Sequence, residues 1–281
     1  MYKRPSPSCQ PMADRVYFDT DVFHRIGETF HDRPLATQLR DRIVLSPITF
    51  IEVVSHLTLK QSGADALRHI QAIHNWVNPE HAQLLPWPTI AIAKAGFNKV
   101  LPDDDFIHRV EKTINICLSA ESVEQLRDSA GKLKDALDKM KASTAQDFKR
   151  LVEAYRKDPL VGERFSEVWV HGIARRVRTD PASRPVADIV AAMSAYHEYE
   201  YAKVKVAAEN RDYDPAKHSN DLLDSEQLVY LADPPLHFLT CDGGYSKRVT
   251  KSEQGKRIHR VSIEELADPG KAEALLTEVT S

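Results

Sequence analysis

The chain has 281 residues, 42% hydrophobic and 28% charged, which is enough for one or two ordinary globular domains. Its 41 acids against 38 bases leave a net charge of -3, which excludes a histone-like blanket of positive charge but not a local basic groove. Ten Gly and 16 Pro are too few for a low-complexity chain, and three scattered cysteines (Cys9, Cys117, Cys241) without a CxxC pair argue against a disulfide framework or zinc ribbon and for a reducing, cytoplasmic setting.

Residues 1–13 carry three Pro and little apolar content and read as a flexible arm. The basic residues there precede no apolar stretch, so no signal peptide is expected, and no run reaches the roughly 18 apolar residues of a membrane span. Arg15-Val16-Tyr17-Phe18 is a short β-rich run that stops at Asp19, and Val22 to Leu39 reads as a helix. Arg42 to Ser46 is a second apolar run, and Thr49 to Leu59 the helix after it. Ser62 to Trp76 continues helical, Gln83 to Pro86 is a third strand candidate, and Thr89 to Val100 a further helix. Helices alternating with short, non-alternating apolar strands predict a parallel sheet.

From Pro102 to Asn210 the pattern is helical throughout, and Asp103-Asp104-Asp105 reads as a helix start. Glu121 to Lys157 predicts one helix of about 55 Å at 1.5 Å per residue. Leu126, Ala130, Leu133, Leu137, Met140 and Thr144, continued after a slip by Phe148, Leu151 and Tyr155, form its stripe, expected to pack on the segment from Val186 to Val206. Strands return at Leu236 to Thr240 and Arg257 to Val261, with a short helix after Ile263. The expected organisation is an α/β unit split into residues 14–101 and 214–268, an all-helical insertion at 102–213, and flexible ends at 1–13 and 269–281.

Four acids fall where this outline puts the carboxyl ends of strands or the helices beside them: Asp19, Glu52, Asp224 and Asp242. Open parallel sheets bind ligands at that edge. Carboxylates brought together there repel unless a cation intervenes, and an oxygen-only donor set suits Mg²⁺ or Mn²⁺. Asp221 lies one helical turn before Asp224 and competes with it as the third ligand, so both are carried as metal candidates. The bland alternatives are an N-cap for Asp19, a solvated helix acid for Glu52 and a turn opener for Asp242 before Gly243-Gly244. Thr20, Asp21 and Thr240 are candidates for orienting the carboxylates. Lys247 and Arg248 head a basic cluster that would meet phosphates. A second cluster, Arg175-Arg176-Val177-Arg178 with Arg184, reads as a solvated face, and His218 lies near the acids. No GxGxxG, GxxxxGK, GxSxG or HExxH motif occurs.

Asp19-Thr20-Asp21-Val22 after an apolar strand resembles the opening motif of PIN-domain ribonucleases. Leu45 to Glu52, a strand, a Ser and an acid on a helix, resembles their second motif. Asp224 to Asp242, ending in Thr240-Cys241-Asp242, resembles the third and fourth together. The resemblance spans roughly 140 residues in two blocks and departs from the family in its insertion. It implies a three-layer α/β/α fold with a parallel five-stranded sheet. It also implies a metal-dependent ribonuclease in which Asp19, Glu52, Asp224 and Asp242 hold Mg²⁺ or Mn²⁺, with a toxin or defence role. RNA, an antitoxin or other regulatory protein, and a second copy of the chain are the partners this reading brings, and no membrane. Two rival readings are a haloacid-dehalogenase-type phosphatase, with Asp19-x-Asp21 as nucleophile and acid, and an inactive PIN-like scaffold for a partner protein.

Overall fold

The computed structural model describes residues 14–30, 32, 35–57, 84–101, 105–120, 122–210, 212–213 and 219–281. In chain order these form β1 (Arg15–Phe18), α1 (Thr20–Thr29), α2 (Thr37–Arg40), α3 (Pro47–Leu57), α4 (Pro88–Phe97), α5 (Asp105–Leu118) and α6 (Val123–Lys157). There follow α7 (Phe165–Arg176), α8 (Val186–Ala192), α9 (Ser194–Glu209), α10 (Ser219–Gln227), β2 (Leu236–Thr240), α11 (Gly243–Arg248), β3 (Ile258–Arg260), α12 (Ile263–Ala267) and α13 (Pro269–Val279), with short 3₁₀ turns between some of them. The predicted helix from Ser62 to Trp76, Asp103 and Asp104 lie outside the described residues.

The sheet corrects the expected fold. Among the described residues it has three parallel strands in the order β1-β2-β3, not five, and most of those residues are helical. The two other predicted strands make single bridges, Val16 with Ile43 and Leu45 with Leu84. The reason lies in their amides. Arg42 and Ile43 donate theirs backwards to the carbonyls of Leu39 and Arg40, Pro47 starts α3 just beyond, and Pro86 has no N–H to offer a ladder. The predicted helix from Val22 to Leu39 is also two pieces. α1 stops at Thr29, short of Pro34, and α2 starts at Thr37.

Alternate residues of the strands feed two cores. Val16, Phe18 and Leu239 point into one with α1, α3 and Leu266 of α12, while Tyr17, Leu236 and Phe238 point into the other with α4, α7 and α9. The long helix α6 belongs to both. Leu126, Ala130, Leu133 and Leu137 enter the first core, where they meet α3 and α5, and Phe148 and Val152 enter the second against α9. The stripe therefore packs on the segment around Val186 to Val206 only over its C-terminal half. The N-terminal half is a wall of the same core that covers the sheet. Residues 269–281, expected to be a flexible end, instead form α13. Ala272, Leu276 and Val279 are buried there, and the Arg42 guanidinium donates to Thr280.

Because α6 shares the core of the sheet, Leu133→Ala is expected to destabilise the whole protein by about 3 kcal/mol in urea unfolding, the usual cost of a buried Leu truncation. Lys132→Ala, which removes only an exposed pair with Asp128 on the same helix, should cost at most about 0.5 kcal/mol. Replacing residues 103–212 with a short Gly/Ser linker should yield an aggregating chain, since it strips the apolar face of α3.

Candidate active site at the carboxyl ends of β1 and β2

β1 and β2 run parallel in register, Phe18 beside Leu239, so Asp19 and Thr240 emerge together at the same edge. Asp19 caps α1, and its carboxylate accepts the Thr20 amide at 2.8 Å. Its other oxygen accepts the fully buried Thr240 hydroxyl at 2.8 Å, which in turn accepts the Asp242 amide at 2.9 Å. Glu52 reaches the same place from α3, accepting the Thr20 hydroxyl at 2.6 Å. Thr20 and Thr240 thus tie the two carboxylates to the ends of the strands. The N-cap reading of Asp19 and the site reading are both satisfied by one side chain.

Burial chiefly pushes the Asp19 carboxyl up to about 6. The Thr240 and Thr20 hydrogen bonds pull against this, and the charges of Glu52 and Asp21 add to it. Asp224 belongs to the same neighbourhood. Tyr245 donates its hydroxyl to the Asp224 carbonyl at 3.3 Å, and that phenol is raised well above its ordinary value by burial and by the charges of Asp19, Asp224 and Glu52. Asp21 is exposed in the first turn of α1.

Asp242 follows Thr240 at the same edge, its amide donating to the Thr240 hydroxyl that bonds Asp19. It is exposed, and its carboxylate turns onto α11 to accept the Gly244 amide at 2.7 Å, the helix-capping role that sequence offered as the bland reading. A Cβ at Gly244 would lie 2.8 Å from both the Asp242 carboxylate and the Arg248 guanidinium, so a side chain there would push one of them aside. Arg248 itself is committed inward, donating to the Tyr199 hydroxyl at 3.1 Å and lying over that ring, while Lys247 stays exposed. The side chain of Asp221, and His218, lie outside the described residues. Among the described residues, no group of three or more His, Cys, Asp or Glu side chains is placed to hold a metal ion. What these residues do offer is a pair, Asp19 and Glu52, with Asp224 nearby. Mg²⁺ characteristically uses one or two carboxylates and keeps waters for the rest of its shell, so a hard ion of that kind suits the pair. Cys241, at the same edge, is pushed up to about 11 by burial and by Asp21 and Asp19, so it stays a thiol at neutral pH and is no nucleophile.

Sequence reasoning placed Arg176 on a solvated face. It is instead the bidentate partner of Glu226, which is 1% exposed, with one nitrogen–oxygen distance of 2.7 Å. Only the arrival of α10 beside α7 reveals this. Sequence also missed His237 and His259, which meet at 2.8 Å across β2 and β3 and are both held below the usual histidine range by burial.

No protein-family model, curated protein or solved structure matches the chain.

A carboxyl raised from its unfolded value near 4 to about 6 binds its proton more tightly in the native state, so stability falls as pH rises through that window and the loss is complete above it. Without divalent ions, wild-type stability should therefore decline by up to about 2–3 kcal/mol between pH 4 and 7 from this group. Asp19→Asn should lack that slope, which denaturant unfolding at a series of pH values measures.

Proposed function

We propose that the protein is a metal-dependent nuclease acting on RNA, cytoplasmic, and of the toxin or defence type. What supports this most is the Asp19–Glu52 pair. Two carboxylates are held together by threonine hydroxyls at the carboxyl edge of a parallel sheet, and one of them carries a raised proton affinity, which a cation would relieve. Asp19 and Glu52 would hold one Mg²⁺ or Mn²⁺, with Asp224, and Asp221 one turn away, completing the acidic side. When bound, such an ion acidifies water and neutralises charge building on the scissile phosphate.

The chain's own residues do the rest. Thr20 and Thr240 hold the carboxylates in one orientation, and Asp242, through its backbone amide on Thr240 and its cap of α11, fixes the turn that carries Lys247 toward solvent and phosphate. The preference for RNA, and an antitoxin-like regulator or a second copy as partner, rest on the resemblance to PIN-domain ribonucleases. Among the described residues no helix is long and apolar enough to cross a membrane.

The test is cleavage of end-labelled RNA and single-stranded DNA with Mn²⁺ or EDTA, beside p-nitrophenyl phosphate. RNA should be cut with Mn²⁺ and spared with EDTA. Asp19→Asn and Glu52→Gln should each lose at least about 100-fold, about 2.7 kcal/mol of transition-state stabilisation. Thr240→Val, which removes the hydrogen bond that lowers the Asp19 pKa, should shift the acid limb of the pH–rate profile upward. Cleavage that survives EDTA, or that the two carboxamide variants leave intact, contradicts the reading. Turnover of p-nitrophenyl phosphate through a covalent aspartyl phosphate would favour the phosphatase.

A further inference from the structure

A cavity of about 560 Å³ opens between the C-terminal half of α6, α7 and α9, with Glu226 of α10 at its inner end. Its volume is that of a small-molecule site, roughly 300–1,000 Å³. Asp224 and Glu226, two residues apart on one helix, face different sides, so this cavity is separate from the Asp19 pair. The inner end is polar and fixed. Arg176 grips Glu226 with both terminal nitrogens, Tyr196 donates to it at 3.3 Å, and Glu200 is buried beside them. Phe148, Trp169 and Trp87 supply an aromatic wall. At the mouth stand Lys139 and Arg175, both exposed.

Gly172 is a second, independent observation. It sits inside α7 and lines the cavity, and a Cβ there would meet nothing within 4 Å. Packing does not require glycine at this position, and glycine is a poor helix former. It leaves this stretch of the cavity wall without a side chain.

We propose that this cavity binds a nucleoside monophosphate. The base lies against the aromatic wall, its exocyclic amino group donates to Glu200, and the phosphate meets Lys139 and Arg175 at the mouth. The site stands whether or not the Asp19 pair cleaves RNA.

Two of the three tryptophans, Trp87 and Trp169, line the cavity, so intrinsic fluorescence reports on its occupancy. Titration of the full chain with AMP, without divalent ions, should give a saturable change at submillimolar concentration. IMP, with a carbonyl in place of the amino group, should bind at least about tenfold more weakly, and inorganic phosphate should give no response in the same range. The double substitution Lys139→Glu and Arg175→Glu, at two exposed positions, should weaken AMP at least about tenfold. Gly172→Leu should abolish the response while leaving the melting temperature unchanged or higher. No saturable response to millimolar AMP, an equal response to inorganic phosphate, or undiminished AMP binding by the folded Gly172→Leu or double variant would each overturn the proposal.

Discussion

Gln227 is the junction on which the architecture turns. Its buried side chain accepts the Ser46 hydroxyl at 2.7 Å and donates to the Thr49 hydroxyl at 2.7 Å, Thr49 donates to the Phe18 carbonyl at 2.8 Å, and the Tyr17 phenol donates to the Gln227 carbonyl at 2.8 Å. Three segments far apart in sequence therefore share one closed set of hydrogen bonds. In a low-dielectric interior such a set is strong when complete, and losing one member leaves its partners buried and unpaired. The network fixes α10 against the end of β1 and the start of α3. It thereby sets the distance from Asp224 to Asp19 and Glu52 on one side and the position of Glu226 on the other.

The acidic edge follows from that constraint. Parallel strands in register deliver Asp19 and Thr240 side by side, and α3, pinned through Thr49, delivers Glu52. The Thr20 and Thr240 hydroxyls are both spent on carboxylates, so the carboxylates are oriented before anything binds. The cost is electrostatic. Burial of Asp19, and secondarily the charges of Glu52 and Asp21, raise its proton affinity.

α6 carries the second constraint. It is 35 residues long and crosses from one core to the other, so the sheet's two covered faces are joined by a single helix. Residues 123–157 consequently act as structural framework for the sheet as well as one wall of the cavity. The opposing wall, α7, holds Arg176 in place through its pair with Glu226, so the cavity and the acidic edge are built on the two sides of α10.

Local sequence determined β1 and β2 to the residue and the helix of α6 to within two, because apolar runs and a helical stripe are short-range signals. It also marked as candidates Asp19, directly after a strand, and Glu52 and Asp224, on helices of the same α/β unit. It overcounted strands, because whether Ile43 and Leu45 join a ladder depends on where the amides of Arg42 and Ile43 go, and those were taken by the preceding turn. It misread Arg176 as solvated. A guanidinium finds a buried partner 50 residues away only once α7 and α10 pack. Periodicity identifies which face of a helix is apolar; which surface that face meets is decided by the tertiary fold, and here that choice joined α6 to both cores.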